Sequence, residues 1–147
     1  MKVLVLSQRQ FDKIMVDNNV NDNNVEKNAK IALISITSGF DKHYFRINHK
    51  NVLNLEFDDI EEDIGKYKTM STEQGQQIIS FLESIDKSSV VYLLVHCAAG
   101  ISRSGAVGTF ANDYFKLDND VFKRDNPHIH PNGNVMRVLN NIINGRQ

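Results

Sequence analysis

The chain has 147 residues, 41% of them apolar and 24% charged, with a net charge of −1 at pH 7. Such proportions suit one globular domain with a buried core, read here over 1–147; they exclude a disordered or fibrous polymer, and the near-zero charge argues against general nucleic-acid binding, which needs clustered cations. One cysteine, Cys97, rules out an intrachain disulfide and a Cys-rich zinc site, and fits a reducing, cytoplasmic compartment.

The opening run Val3-Leu4-Val5-Leu6 is too short for a signal-peptide core or a membrane span, and Gln8, Arg9 and Gln10 follow it at once, so it is read as a buried first strand. Phe11, Ile14 and Met15 then recur at helical spacing, and the Asn-rich stretch 17–28 reads as a surface loop. Segments 31–36 and 52–57 read as strands separated by a polar turn region. Ser71 and Gln74 have the spacing of a reciprocal helix cap, and Ile78, Phe81, Leu82 and Ile85 follow on one helical face. The uninterrupted apolar run 90–95 predicts a strand covered on both faces. Val107, Phe110, Ala111 and Tyr114 predict a helix beyond it, and a last helix is expected over 133–143, capped by Asn132, with Val135, Val138, Leu139 and Ile142 inward. Strands alternating with helices imply an α/β fold with a mostly parallel central sheet flanked by helices, whose ligands bind beyond the carboxyl ends of the strands.

Between the strand at 90–95 and the next helix stands His96-Cys97-Ala98-Ala99-Gly100-Ile101-Ser102-Arg103-Ser104. A loop entering a helix gathers unpaired backbone N–H groups and the positive end of the helix dipole, which together attract a tetrahedral anion. Cysteine at the head of such a loop is held as a thiolate, so Cys97 is the candidate nucleophile. Arg103 can grip two anion oxygens with its planar fork. Ala98, Ala99, Gly100, Ile101 and Ser102 supply the cradle: the small side chains leave the amides accessible, and Gly100 permits the tight turn. Ser104 can donate a hydrogen bond to the sulfur, and His96 can orient the cysteine backbone from behind. A cysteine after an apolar strand is by itself most often a small buried hydrophobe, and only its neighbours change that reading.

These residues resemble the His-Cys-x5-Arg-Ser phosphate loop of protein tyrosine phosphatases, and Ala-Gly-Ile-Ser-Arg-Ser looks most like the dual-specificity branch. Pro131-Asn132 resembles the Pro-Asn that precedes the corresponding helix there. The order of elements follows the family from about Ile31 to the C-terminus, less clearly before it. The resemblance implies a phosphotyrosine phosphatase-like fold and a phosphomonoester hydrolase working through a phosphocysteine, without metal or cofactor. It further implies a monomer acting on phosphorylated protein, phosphotyrosine first, with neither nucleic acid nor membrane as partner. The loop lacks the extra lysines of phosphoinositide phosphatases and the His-Gly-x-Asn-Arg-Thr string of the RNA 5′-phosphatase branch, which disfavours those substrates.

Expulsion of an alkoxide or phenolate needs a proton donor on another strand-end loop. The strand at 52–57 runs into five carboxylates between Asp58 and Asp63, most of them simply solvated. Aligning Asp63-Ile64 with the pair that follows this loop in the family puts Asp58 at the acid position, with Asp59 a close second. Asn132 is read as a cap that also braces the phosphate loop. His128 and His130, without a third obvious ligand, are read as structural or exposed. Two other functions compete: a recognition module that binds phosphorylated partners with little turnover, and a sulfur-transfer or arsenate-reducing protein, against which the lack of a second thiol counts.

Overall fold

The structure, a computed structural model, describes residues 1–145; Arg146 and Gln147, the last two positions of the span read as one domain, lie outside the described residues. Four strands, β1 (Lys2–Ser7), β2 (Ile31–Thr37), β3 (Val52–Glu56) and β4 (Tyr92–Cys97), alternate with helices α1 (Gln8–Asp17), α2 (Thr72–Ser84), α3 (Arg103–Tyr114), α4 (Asn119–Asp125) and α5 (Gly133–Gly145). All strand pairs are parallel, in the order β1-β4-β2-β3. The fold is α/β, and the carboxyl ends of all four strands open toward one edge.

Strand periodicity of two sorts the core into two layers. On one face Leu33, Leu94, Phe11, Met15, Val25, Phe45 and Val52 pack beneath α1 and the 3-10 turn Val25–Lys27; on the other, Ile34, Ile36, Leu93 and Val95 meet Ile78, Leu82, Val107, Ala111 and Leu139 of α2, α3 and α5. α1 and α2 each open with a capping box, Ser7 with Gln10 and Ser71 with Gln74, the second being the one read from spacing. Gly108 lets α3 approach β1: a Cβ there would stand 2.5 Å from Val5 Cγ2.

One strand is shifted from where it was expected, and one helix was not expected. The strand read at 90–95 lies at Tyr92–Cys97, because Val90 closes a turn on the Asp86 carbonyl while His96 and Cys97 complete the ladder opposite Leu6 and Ser7. α4 carries no apolar period, buries only Phe122, and forms because Asp118 caps the Asp120 and Val121 amides.

β1 pairs with β4 on one side, and its other edge is closed by a side chain. Asn126, 2% exposed, accepts from the Val5 N–H at 2.8 Å and donates to the carbonyls of Val3 at 3.0 Å and Phe122 at 2.9 Å, acting as a one-residue strand. Asn126→Ala should cost about 2 kcal/mol by orphaning buried backbone groups, seen as a lower urea midpoint at unchanged m-value. A midpoint equal to that of wild type would show that the edge is held by packing alone.

Candidate active site

β4 ends on Cys97, and the chain reverses into α3 within five residues, Ala98 to Ser102. The reversal needs Gly100. Its φ is +71°, and a Cβ there would fall 2.4 Å from Leu6 C and Ser7 N, against backbone that cannot yield. From outside, the Gln8 N–H donates to the Ala98 carbonyl at 3.2 Å, tying the loop to the start of α1. Inside, the amides of Gly100, Ile101 and Ser104 turn toward the Cys97 sulfur, and Ser104 Oγ stands 3.0 Å from it. Burial pushes this thiol up, but the Ser104 hydroxyl and the three amides outweigh burial and hold it below the ordinary thiol range.

Arg103, the first residue of α3, is only 5% exposed. Its Nη1 donates to the Phe57 carbonyl at 2.8 Å, while its buried Nε–H has no partner, and among the described residues no carboxylate lies within 4.0 Å of the guanidinium. A buried cation without a counter-charge is unfavourable unless an anion comes to it. The mouth of α3 is arranged likewise: Ser102 does not cap the helix with its side chain, which instead donates to Asp59 at 2.7 Å. The amides of Gly100, Ile101 and Ser104 therefore face the sulfur while the Arg103 guanidinium lies buried at the head of the same helix, a set of groups suited to a tetrahedral oxyanion.

The two aspartates proposed for proton transfer take different positions. Asp58 accepts from the Lys68 N–H at 2.8 Å, closing its own loop, and lines an open cleft with Phe40, Phe57, Lys66 and Tyr67. Asp59 accepts from Ser102 Oγ and, at 2.9 Å, from Asn132 Nδ2, so it touches the Cys97 loop directly. Asn132 joins three segments: its side chain caps α5 at the Val135 N–H and holds Asp59 and the Ile60 carbonyl, and its own N–H donates to the Ser102 carbonyl. The adjacent His130 N–H supports the Ile101 carbonyl at 2.9 Å. His128 bonds the Val5 carbonyl, and among the described residues no His, Cys, Asp and Glu cluster suited to a metal is found.

His96, fully buried, lies behind the cysteine with Nδ1 3.2 Å from the Cys97 carbonyl and Nε2 2.7 Å from Ser35 Oγ. Burial pushes its pKa down to about 4; the bond to the Cys97 carbonyl opposes this, and the charges of His43 and Arg103 add to it. Ser35 and His43 do not figure in the sequence-based site. For Ser35 a signal was nonetheless present: Ser35 and Thr37 are polar on one face of an otherwise apolar strand, the face that carries Leu33.

Comparison with solved structures now decides the fold. The human tyrosine phosphatase-like serine/threonine/tyrosine-interacting protein superposes with a TM-score of 0.55 at 17% identity, covering 86% of each chain. The chain has a tyrosine phosphatase-like fold. Tk-PTP in its active form gives 0.52 at 18% identity over 97% of this chain and 91% of its own, and PTPMT1 in complex with PI(5)P gives 0.54 at 14% over 99% and 94%. No protein-family model and no curated protein sequence matches the chain. Among the described residues, no helix is long and apolar enough to cross a membrane.

Two outcomes follow from the electrostatics. The ultraviolet absorbance of the Cys97 thiolate should appear below the ordinary thiol range, and Ser104→Ala should move its onset to higher pH; an unmoved profile would mean that the hydroxyl contributes nothing. His96 has a folded value of about 4 against an ordinary 6.5, so the unfolded chain takes up the proton first. Its contribution is complete above about pH 6.5 and lost as pH falls toward 4, up to about 3 kcal/mol. Urea denaturation across that window should show the decline, flattened in His96→Gln; equal slopes in the two proteins would refute it.

Proposed function

We propose that the protein is a phosphomonoester hydrolase of the cysteine-dependent kind, working on phosphorylated protein with phosphotyrosine foremost. The observation that carries this reading is the buried Arg103 guanidinium, without a carboxylate partner, at the head of the helix entered by the Cys97 loop, whose inward amides hold the cysteine below its ordinary pKa. Thiolate, fork and amides together suit a phosphate ester and nothing apolar. The tyrosine phosphatase-like fold supports the same reaction class.

In the first step the Cys97 thiolate donates an electron pair to phosphorus as the bond to the leaving oxygen breaks. Asp58 gives its proton to that oxygen, so an alcohol or phenol departs rather than its anion. The inward amides and Arg103 stabilise the equatorial oxygens where charge gathers. In the second step Asp58 takes a proton from water, whose oxygen attacks phosphorus; the S–P bond breaks, its electron pair returns to sulfur, and the Ser104 hydroxyl steadies the thiolate. Asp59, which accepts hydrogen bonds from Ser102 and Asn132, fastens the acid loop to the cradle.

Cys97→Ser should abolish release of phosphate from para-nitrophenyl phosphate, and Arg103→Lys should lose about a hundredfold or more although charge is kept. Asp58→Asn should be slowed more with phenyl phosphate than with the activated nitrophenyl ester and should lose the alkaline limb of the pH profile, while Asp59→Asn keeps that limb. If Asp59→Asn shows the leaving-group sensitivity instead, the acid is Asp59. A wild-type protein that binds phosphotyrosine peptide without releasing phosphate would establish the recognition module in place of the enzyme. A panel including phosphoserine peptide, phosphoinositide and RNA 5′-phosphate reads the substrate class.

A further inference from the structure

Behind Cys97 runs a chain of four polar side chains. The hydrogen bonds are Thr37 Oγ1 to His43 Nε2 at 3.1 Å, His43 Nδ1 to Ser35 Oγ at 2.8 Å and Ser35 Oγ to His96 Nε2 at 2.7 Å, ending with His96 Nδ1 at the Cys97 carbonyl. Thr37, Ser35 and His96 are buried; His43, on the loop after β2 and bonded on one side to Thr37 and on the other to Ser35, is half-buried. The direction of every proton is fixed by the last bond, because a carbonyl only accepts. His96 must donate from Nδ1, its neutral ring then presents a bare Nε2, and Ser35 must donate to it. The Ser35 oxygen is thereby free to accept from His43 Nδ1–H, and the remaining His43 nitrogen accepts from Thr37.

This order has one alternative. Were His43 protonated on Nε2 alone, its bare Nδ1 would claim the Ser35 proton, His96 would turn its own proton to Nε2, and a lone pair would face the Cys97 carbonyl. Packing holds the chain in place: the Phe11 ring lies 4.3 Å from the His96 ring, and Gln8 Nε2 fixes the Lys42 carbonyl next to His43. The groups acting on its rings are few. Glu56 acts on His43, and His43 and Arg103 act on His96, while burial keeps His43 below its ordinary pKa.

We propose that Ser35 and His43 are positioning residues for Cys97, fixing the His96 tautomer that keeps the Cys97 carbonyl turned back and its sulfur before the inward amides. The inference rests on Cys97 being the reacting group of the proposed hydrolase. Its test does not rest on turnover.

Cys97 is the protein's single thiol, so thiolate absorbance read against Cys97→Ser reports it alone. Ser35→Ala and His43→Leu should each lower the thiolate fraction at pH 6 about threefold to tenfold while leaving it complete at high pH. The 15N imidazole signals of His96 should change from one tautomer to a mixture. His43→Asn, which retains a donor near the position of Nδ1, should return both readouts toward wild type. Thermal unfolding verifies that each variant is folded; Ser35→Ala only deletes an oxygen. If folded Ser35→Ala and His43→Leu keep the wild-type thiolate titration and His96 signals, or if His43→Asn behaves as His43→Leu does, the positioning role is overturned. Should the titrations shift as expected while wild type hydrolyses no phosphomonoester, the hydrolase reading fails and the relay stands.

Discussion

Everything at the carboxyl edge of this sheet depends on one chain reversal, in which the backbone between β4 and α3 turns its amides inward and its carbonyls outward. An amide pointing at a thiol stabilises negative charge there, and a carbonyl so placed would repel it. The outward carbonyls must then find donors elsewhere, since buried backbone groups are costly when unpaired. They find them on two separate segments: Gln8 at the start of α1 takes Ala98, while His130 and Asn132, ahead of α5, take Ile101 and Ser102. The cradle is thus held from outside by elements remote in sequence.

That constraint accounts for residues that otherwise work against stability. Gly100 occupies a backbone conformation that other residues rarely adopt, with the β1–α1 junction pressed against the place of a Cβ. Arg103 is buried at the positive end of a helix with only a carbonyl for company, and α3 begins without a side-chain cap because Ser102 is turned to Asp59. Each is unfavourable alone, and each is consistent with a site prepared for a multiply charged anion. The free side of β1 shows no such tension: there Asn126 satisfies the backbone.

Burial divides the chemistry between the two faces of β4. Alternation sends Cys97 toward the α3 layer and His96 toward the α1 layer, so the sulfur sits among amides while the imidazole sits against Phe11 and Ser35. A residue pair adjacent in sequence therefore reports to two different cores. The hydrogen bond from His96 to the Cys97 carbonyl is where the α1 side meets the residue that carries the sulfur.

Much of this was legible in the sequence because it is local. The uninterrupted apolar run before Cys97 specified a covered parallel strand, the residues from Cys97 to Arg103 specified a tight loop opening a helix, and Asn132 before a periodic run specified a cap; each depends on residues within a turn or two of one another. The sequence also placed Ser104 on the sulfur and His96 behind it, since both follow from loop geometry. What tertiary structure decided are the relations between distant segments. Whether Asp58 or Asp59 reaches the loop depends on how 56–68 folds against Asn132, and no period in that acidic stretch records it. The same holds for Phe57 offering its carbonyl to Arg103, for Asn126 completing the sheet, and for His43 joining Ser35 and His96. Hydrogen bonding between remote groups leaves no repeating pattern along a chain; it exists only once packing has brought the partners within 3 Å or so of each other.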